Sequence, residues 1–263
     1  MKRNIDLLHG NILTSLTELA VPIMATSMVQ TAYSLTDMAW IGMVGSDAVA
    51  AVGAAGMYTW LLNGAVAMAK MGGQVRVAQS YGEGKVDEAV EYGKGAAQLA
   101  IAMALSFAVL ANVFAWQLVG FFHLNTASIV ANAVIYLRIA CGMLVFSHPG
   151  QTMTGLYTAV GNSRTPFLAN GVGLALNMIL DPMLILGLGP FPRLGVAGAA
   201  IATVTAQAVV LAVLLISARK DSILSRQLRI WKPTSRRHFK SIVRIGFPTA
   251  IQDMIYCSIS MYL

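Results

Sequence analysis

Asn177-Met178-Ile179-Leu180-Asp181-Pro182 lies inside an apolar run from about Phe167 to Leu188, long enough for one bilayer crossing of about 20 residues. A run of that length reads as a membrane helix. Its amide and carboxylate are four residues apart, so on a helix both point the same way. Pro182 has no backbone N–H, and the carbonyl of Met178, four residues earlier, loses its helical donor. Side-chain oxygens and a freed carbonyl then gather within one turn at membrane depth. An ionised side chain there costs about 2.5–3.5 kcal/mol on insertion scales, so the first reading of Asp181 is functional.

Outward from this run the whole chain is apolar. Its 263 residues are 57% hydrophobic and 11% charged, with mean hydropathy +0.67. A soluble domain carries about a quarter charged residues. The net charge of +7 does not point to nucleic acid, because the basic residues fall in short loops between apolar runs, where the positive-inside rule places them. Cys141 and Cys257 both lie in apolar runs, so no disulfide framework or metal-ligand spacing is indicated.

Six complete spans and the start of a seventh are expected. The first, about Leu16 to Met43, has Pro22 in its opening turns and Gln30, Thr36 and Asp37 in its far half. The second ends near Met71, and the charged stretch from Gly72 to Gly95 reads as a solvent-facing connection. The third runs from about Ala96 to Val119. The fourth, about Ile129 to Val160, carries Arg138, His148 and Pro149 and is longer than a bilayer needs. Arg138 reads first as a side chain reaching for the interface and second as a counter-ion for a buried acid. The fifth is the opening run, and Gly187-Leu188-Gly189-Pro190-Phe191-Pro192 closes it with a loop. In the sixth, Gly195/Ala199 and Gly198/Ala202 make two small-residue pairs of the kind that let helix backbones approach. A basic connection from Arg219 to Lys240 leads to the seventh run near Ile242.

The expected organisation is therefore an all-α integral membrane protein. It comprises a six-helix bundle over 1–217, a basic connecting loop over 218–241, and the start of a second bundle over 242–263. Counting charges puts the N-terminus and the Arg219–Lys240 cluster on the cytoplasmic side of the cell membrane, with Arg193 alone in the outer loops. Leu19-Ala20-Val21-Pro22 and Ile245-Gly246-Phe247-Pro248 echo one another, as the two halves of an internally repeated transporter do. Leu263 falls inside a span, so the chain reads as the first half of a longer transporter.

Several stretches, taken in order, carry a family likeness. They are Leu19-Ala20-Val21-Pro22, Asp37-Met38-Ala39-Trp40-Ile41-Gly42, Gln79-Ser80-Tyr81-Gly82-Glu83-Gly84, the segment Gly155 to Pro166, Asn177…Asp181-Pro182 and the segment Gly195 to Thr203. With them the sequence resembles the multidrug and toxic compound extrusion (MATE) transporters over essentially its whole length. The resemblance implies twelve helices in two bundles, alternating access, and efflux of small organic compounds coupled to inward Na⁺ or H⁺. It also implies a cation site formed by Asp37, Asn177 and Asp181, with Thr203 beside it. Gln30, Tyr33, Arg138 and Met153 are candidates for the substrate cavity.

Carboxylate, amide and hydroxyl oxygens are the hard donors Na⁺ would use, and the same carboxylates could hold a proton instead. The expected partners are the lipid bilayer, small organic and cationic compounds, and a second bundle, with no cofactor beyond the coupling ion. A lipid or lipid-linked saccharide flippase is the alternative, and its cavity would carry more basic residues at depth than Arg138. A non-transporting scaffold is a further one. No Gly-x-Ser-x-Gly or His-x-x-Glu-His arrangement supports an enzyme.

Overall fold

The computed structural model describes residues 12–124, 126–142, 144–189, 191–228 and 233–262. Their regular structure is helical throughout: α1 (Ile12–Gly42), α2 (Ser46–Gly82), α3 (Val86–Val113), α4 (Ala115–Gly120), α5 (Ala127–Gly142), α6 (Leu144–Ala159), α7 (Arg164–Ile185), α8 (Val196–Ala218), α9 (Leu224–Gln227) and α10 (Arg236–Tyr262). Four of these, α2, α3, α7 and α8, are each long and apolar enough to cross a membrane, and α5 with α6, bent by 48° at their break, pass the same measure as a pair, which makes them one broken span or a re-entrant loop. The long fourth run is thus two helices. The first expected span, α1, has 31 residues, enough for a bilayer, but its second half carries Gln30, Thr31, Ser34, Thr36 and Asp37.

Several expected boundaries move, and helix length gives the reason. The 37 residues of α2 rise about 55 Å, nearly twice the hydrocarbon thickness of about 30 Å. α2 therefore continues past Met71 to Gly82, and the Gly72–Gly95 connection shrinks to the turn 83–85. In that turn Gly84 adopts φ 75°, and Lys85 Nζ donates to Glu83 Oε2 at 2.7 Å. This hydrogen bond holds the Glu83 carboxyl below the usual carboxylate range. Pro22 and Pro248 both sit inside their helices, not in the first turns. The third run breaks at Phe114 between α3 and α4. Arg236, Arg237 and Lys240, expected in a loop, form the opening of α10.

Glycine sets the closest crossings. A Cβ on Gly246 of α10 would lie 2.0 Å from the Met68 carbonyl oxygen of α2, and one on Gly72 2.2 Å from that of Ile242. α10 is thus laid backbone to backbone along α2. Gly198 does the same for α8 on α7, where a Cβ would meet the Leu184 oxygen at 2.4 Å. Its expected companion Gly195 does other work, turning the chain into α8 at φ 55°.

Two apolar clusters fill opposite ends of the bundle. One gathers Val52, Ala55, Tyr136, Leu137, Leu144, Ile185 and Ala200. The other gathers Ala69, Val77, Met153, Leu156, Leu214 and Ile242. The basic α9–α10 segment joins the second end, where Arg226 pairs with Asp87 and the buried Gln227 donates to the Ala89 carbonyl at 3.3 Å.

Candidate functional site

Between these clusters the packing changes character. α2 contributes Val52 and Ala55 to the first cluster and Ala69 and Val77 to the second, with Thr59 and Asn63 between them on a cavity wall. α6 repeats the order with Leu144, then Ser147 and Gln151, then Met153 and Leu156. α8 repeats it with Ala200, then Thr203 and Gln207, then Val210 and Leu214. Three helices place their polar residues at the same level.

The result is a polar layer holding a cavity of about 130 Å³ lined by Thr59, Asn63, Tyr136, Ser147, Gln151 and Thr203 among others. A larger cavity of about 380 Å³ adjoins it, since Asn63, Gln151 and Gln207 line both. Gln151 Nε2 donates to Asn63 Oδ1 at 2.9 Å, fixing two walls together.

The acid site stands beside this layer. Asn177 and Asp181 are both fully buried in α7, and Asn177 Nδ2 donates to Asp181 Oδ1 at 3.1 Å. Asn177 Oδ1 and Asp181 Oδ2 are buried without a hydrogen-bond partner, and so is Asp37 Oδ1. α1 packs on α7, and Asp37 lies within Coulombic range of Asp181. Both acids also act on Tyr136 of α5, which lines the smaller cavity. Three orphaned acceptors in one apolar surrounding are costly unless something with positive charge or a proton meets them. The donors here are carboxylate and amide oxygens, the hard type that suits a hard cation; among the described residues no group of three His, Cys, Asp or Glu side chains gathers.

The remaining candidates separate. Thr203 Oγ1 is buried, unpartnered and on the smaller cavity; Tyr136 is the residue common to that cavity and the acids. Arg138 is exposed on α5 and lines neither cavity. Met153 is 3% exposed within the second apolar cluster; its neighbours Gln151 and Thr154 take the cavity wall instead. Gln30 and Tyr33 belong to α1, but their side chains lie outside the described residues. His148 is fully buried, with its ring edge-on to Phe107 and no second metal-ligating side chain gathered to it among the described residues.

Sequence reasoning missed Asn63, Gln151, Gln207, Tyr136 and Lys70. The three amides carried a usable signal, being long polar side chains deep in apolar runs. Lys70 was hidden by the expected end of the second span at Met71. In the structure it lies 12 residues before the end of α2 and lines the larger cavity. Lys70 is thus a second basic candidate at depth beside Arg138.

The MatE family profile matches residues 22–183. The chain is 29% identical over 244 residues to a probable multidrug resistance protein NorM of Thermotoga maritima, covering 92% of this chain and 52% of that protein. It is 27% identical over 260 residues to a protein named FAD transporter from Shewanella oneidensis, covering 97% and 56%. The chain spans about half the length of the curated relatives it matches. Among solved structures, a MATE protein in the straight conformation superposes with TM-score 0.88 at 25% identity, covering all of this chain and 57% of that one. A MOP superfamily transporter from Pyrococcus furiosus gives TM-score 0.88 at 24% identity, again over 100% and 57%. Multi-pass helical architecture and profile agree: the chain belongs to the MatE family, the multidrug and toxic compound extrusion proteins its sequence resembles.

Proposed function

We propose that this chain forms the N-terminal lobe of a secondary active multidrug efflux transporter, exporting small organic compounds against inward Na⁺ or H⁺. The observation that carries the reading is the set of orphaned oxygens on Asp37, Asn177 and Asp181, buried together beside a polar cavity. Occupying them with a cation or a proton removes an unmet charge and draws α1 towards α7. Emptying them relaxes that contact. Such a change biases a lobe between two arrangements, and a ligand shifts an equilibrium only by its differential affinity for the two states. Thr203 would complete the oxygen set from α8.

Names of relatives support export of organic compounds: of three such relatives, two are called probable multidrug resistance proteins and one an FAD transporter. A cationic or neutral cargo, the expectation from the sequence, rests on Arg138 as the basic candidate at depth, and Lys70 on the larger cavity wall is a second such residue. The gathering of Arg226, Arg236, Arg237 and Lys240 at one end supports a cytoplasmic placement of that end in the cell membrane. The test is efflux of two fluorescent organic dyes, one cationic and one anionic, by the full-length transporter in proteoliposomes under an imposed Na⁺ or pH gradient. Asp37→Asn and Asp181→Asn should each abolish gradient-driven efflux. Unaltered transport by both variants would sink the reading.

A further inference from the structure

The larger cavity carries one feature that the cation site does not explain. Its polar lining is hydroxyl and amide, from Ser34, Asn63, Gln151, Thr154 and Asn170 among others, and among the described residues no aspartate or glutamate lines it. The charge on its wall is Lys70. Among the described residues the Lys70 ammonium makes no ion pair, and the acid that acts on it is Asp253 of α10, at longer range.

Lys70 is held in place by packing. A Cβ on Gly155 of α6 would come within 3.1 Å of Lys70 Cγ and 3.3 Å of its carbonyl oxygen, so α6 lies directly on the side-chain stem. The stem is packed under α6, and Lys70 lines the cavity wall. A lysine kept only to neutralise Asp253 would be expected in contact with it. This one instead stands among amide groups that can donate further hydrogen bonds. A cation on a wall shared with neutral donors, with no acid among the described residues of that wall, is the chemistry that receives a carboxylate or a phosphate.

We infer that Lys70 makes this cavity the seat for an anionic group of an organic ligand, a carboxylate or phosphate, and so sets the charge class of the cargo. The inference deepens the transport reading and rests on it for its physiological sense, but ligand binding can be measured without transport. Asp253, which acts on Lys70 from α10, is then an internal competitor of the incoming anion.

The experiment is equilibrium binding of two fluorescent probes, carboxyfluorescein and rhodamine 6G, to the purified chain in phosphatidylcholine nanodiscs. Carboxyfluorescein should bind saturably. Lys70→Gln should weaken it by about tenfold or more, the scale of one charge-assisted hydrogen bond, and leave rhodamine 6G unchanged. Lys70→Arg should retain carboxyfluorescein binding, and Asp253→Asn should strengthen it. Displacement of the probe by phosphatidylglycerol assigns the seat to a lipid headgroup; displacement by soluble carboxylates alone assigns it to a solute. Absence of carboxyfluorescein binding, or equal loss of both probes in Lys70→Gln with Asp253→Asn unchanged, overturns the inference. Failure of the transport reading shows separately, as efflux indifferent to Asp181→Asn in a protein that still binds the anionic probe.

Discussion

Asp181 accepts one hydrogen bond from Asn177 and leaves Oδ2 with none, although the residue is fully buried. That imbalance makes a measurable claim about ligands. If Na⁺ fills the vacant positions, it binds the folded protein alone and stabilises it by about 1.4 kcal/mol at ten times its Kd. Raising NaCl at constant ionic strength, with choline as the replacement, should therefore raise the Tm of the purified protein. The rise should vanish in Asp181→Asn and in Asp37→Asn. A Tm indifferent to Na⁺ in the unmodified protein excludes Na⁺ as the occupant and leaves the proton. At this scale the sequence was half legible. Helical spacing alone puts Asn177 and Asp181 on one face, and the hydrogen bond between them follows. Tyr136, which both acids reach, comes from another helix, and no local spacing announces a neighbour of that kind. Lys70 was obscured by a boundary, since a charge next to an expected helix end looks like an interface residue.

Helices here meet through glycines whose partners are distant in sequence. Gly246 faces the Met68 carbonyl and Gly72 that of Ile242, so α2 and α10 touch along their backbones. Gly246→Ala must push α10 off α2, because the nearest atom is rigid backbone. Overpacking of this sort costs about 1–3 kcal/mol, and thermal unfolding in detergent should show a Tm lowered by several degrees. Gly171→Ala in α7, where a Cβ would meet nothing within 4 Å, should leave Tm unchanged or raise it through helix propensity. Equal effects from the two substitutions would contradict the crossing. The small-residue pattern of α8 was readable in advance, yet only Gly198 serves the packing predicted for it. Gly195 turns the chain at φ 55°, and a spacing rule does not separate a glycine that packs from one that turns. The helix ends escaped for a different reason. Hydropathy marks where a chain leaves lipid, whereas α2 and α3 stay helical well beyond that level and meet in a three-residue turn.

Across the whole molecule, the arrangement that matters is a sandwich of two apolar clusters around a polar layer. Each of α2, α6 and α8 taken alone reads as apolar with scattered polar residues. The layer exists only because Asn63, Gln151 and Gln207 arrive at one level when three helices pack. That alignment depends on the long-range crossings, so membrane helices and family likeness were legible while the cavity was not. The apolar clusters fill both ends, and the polar residues of the middle line the two cavities. The layer should be open to small aqueous reagents, and cysteine labelling can test this directly. Cys141 and Cys257 are both buried free thiols and can be replaced by alanine to give a silent background. In it, Thr203→Cys and Gln207→Cys should react with a small polar methanethiosulfonate, whereas Leu214→Cys and Ala199→Cys, from the two flanking clusters, should not. Labelling at all four positions would mean that the clusters are loosely packed, and labelling at none would mean that the layer is dry. The second outcome removes the aqueous route by which an ion could reach Asp37 and Asp181; the first keeps the route and removes the sandwich.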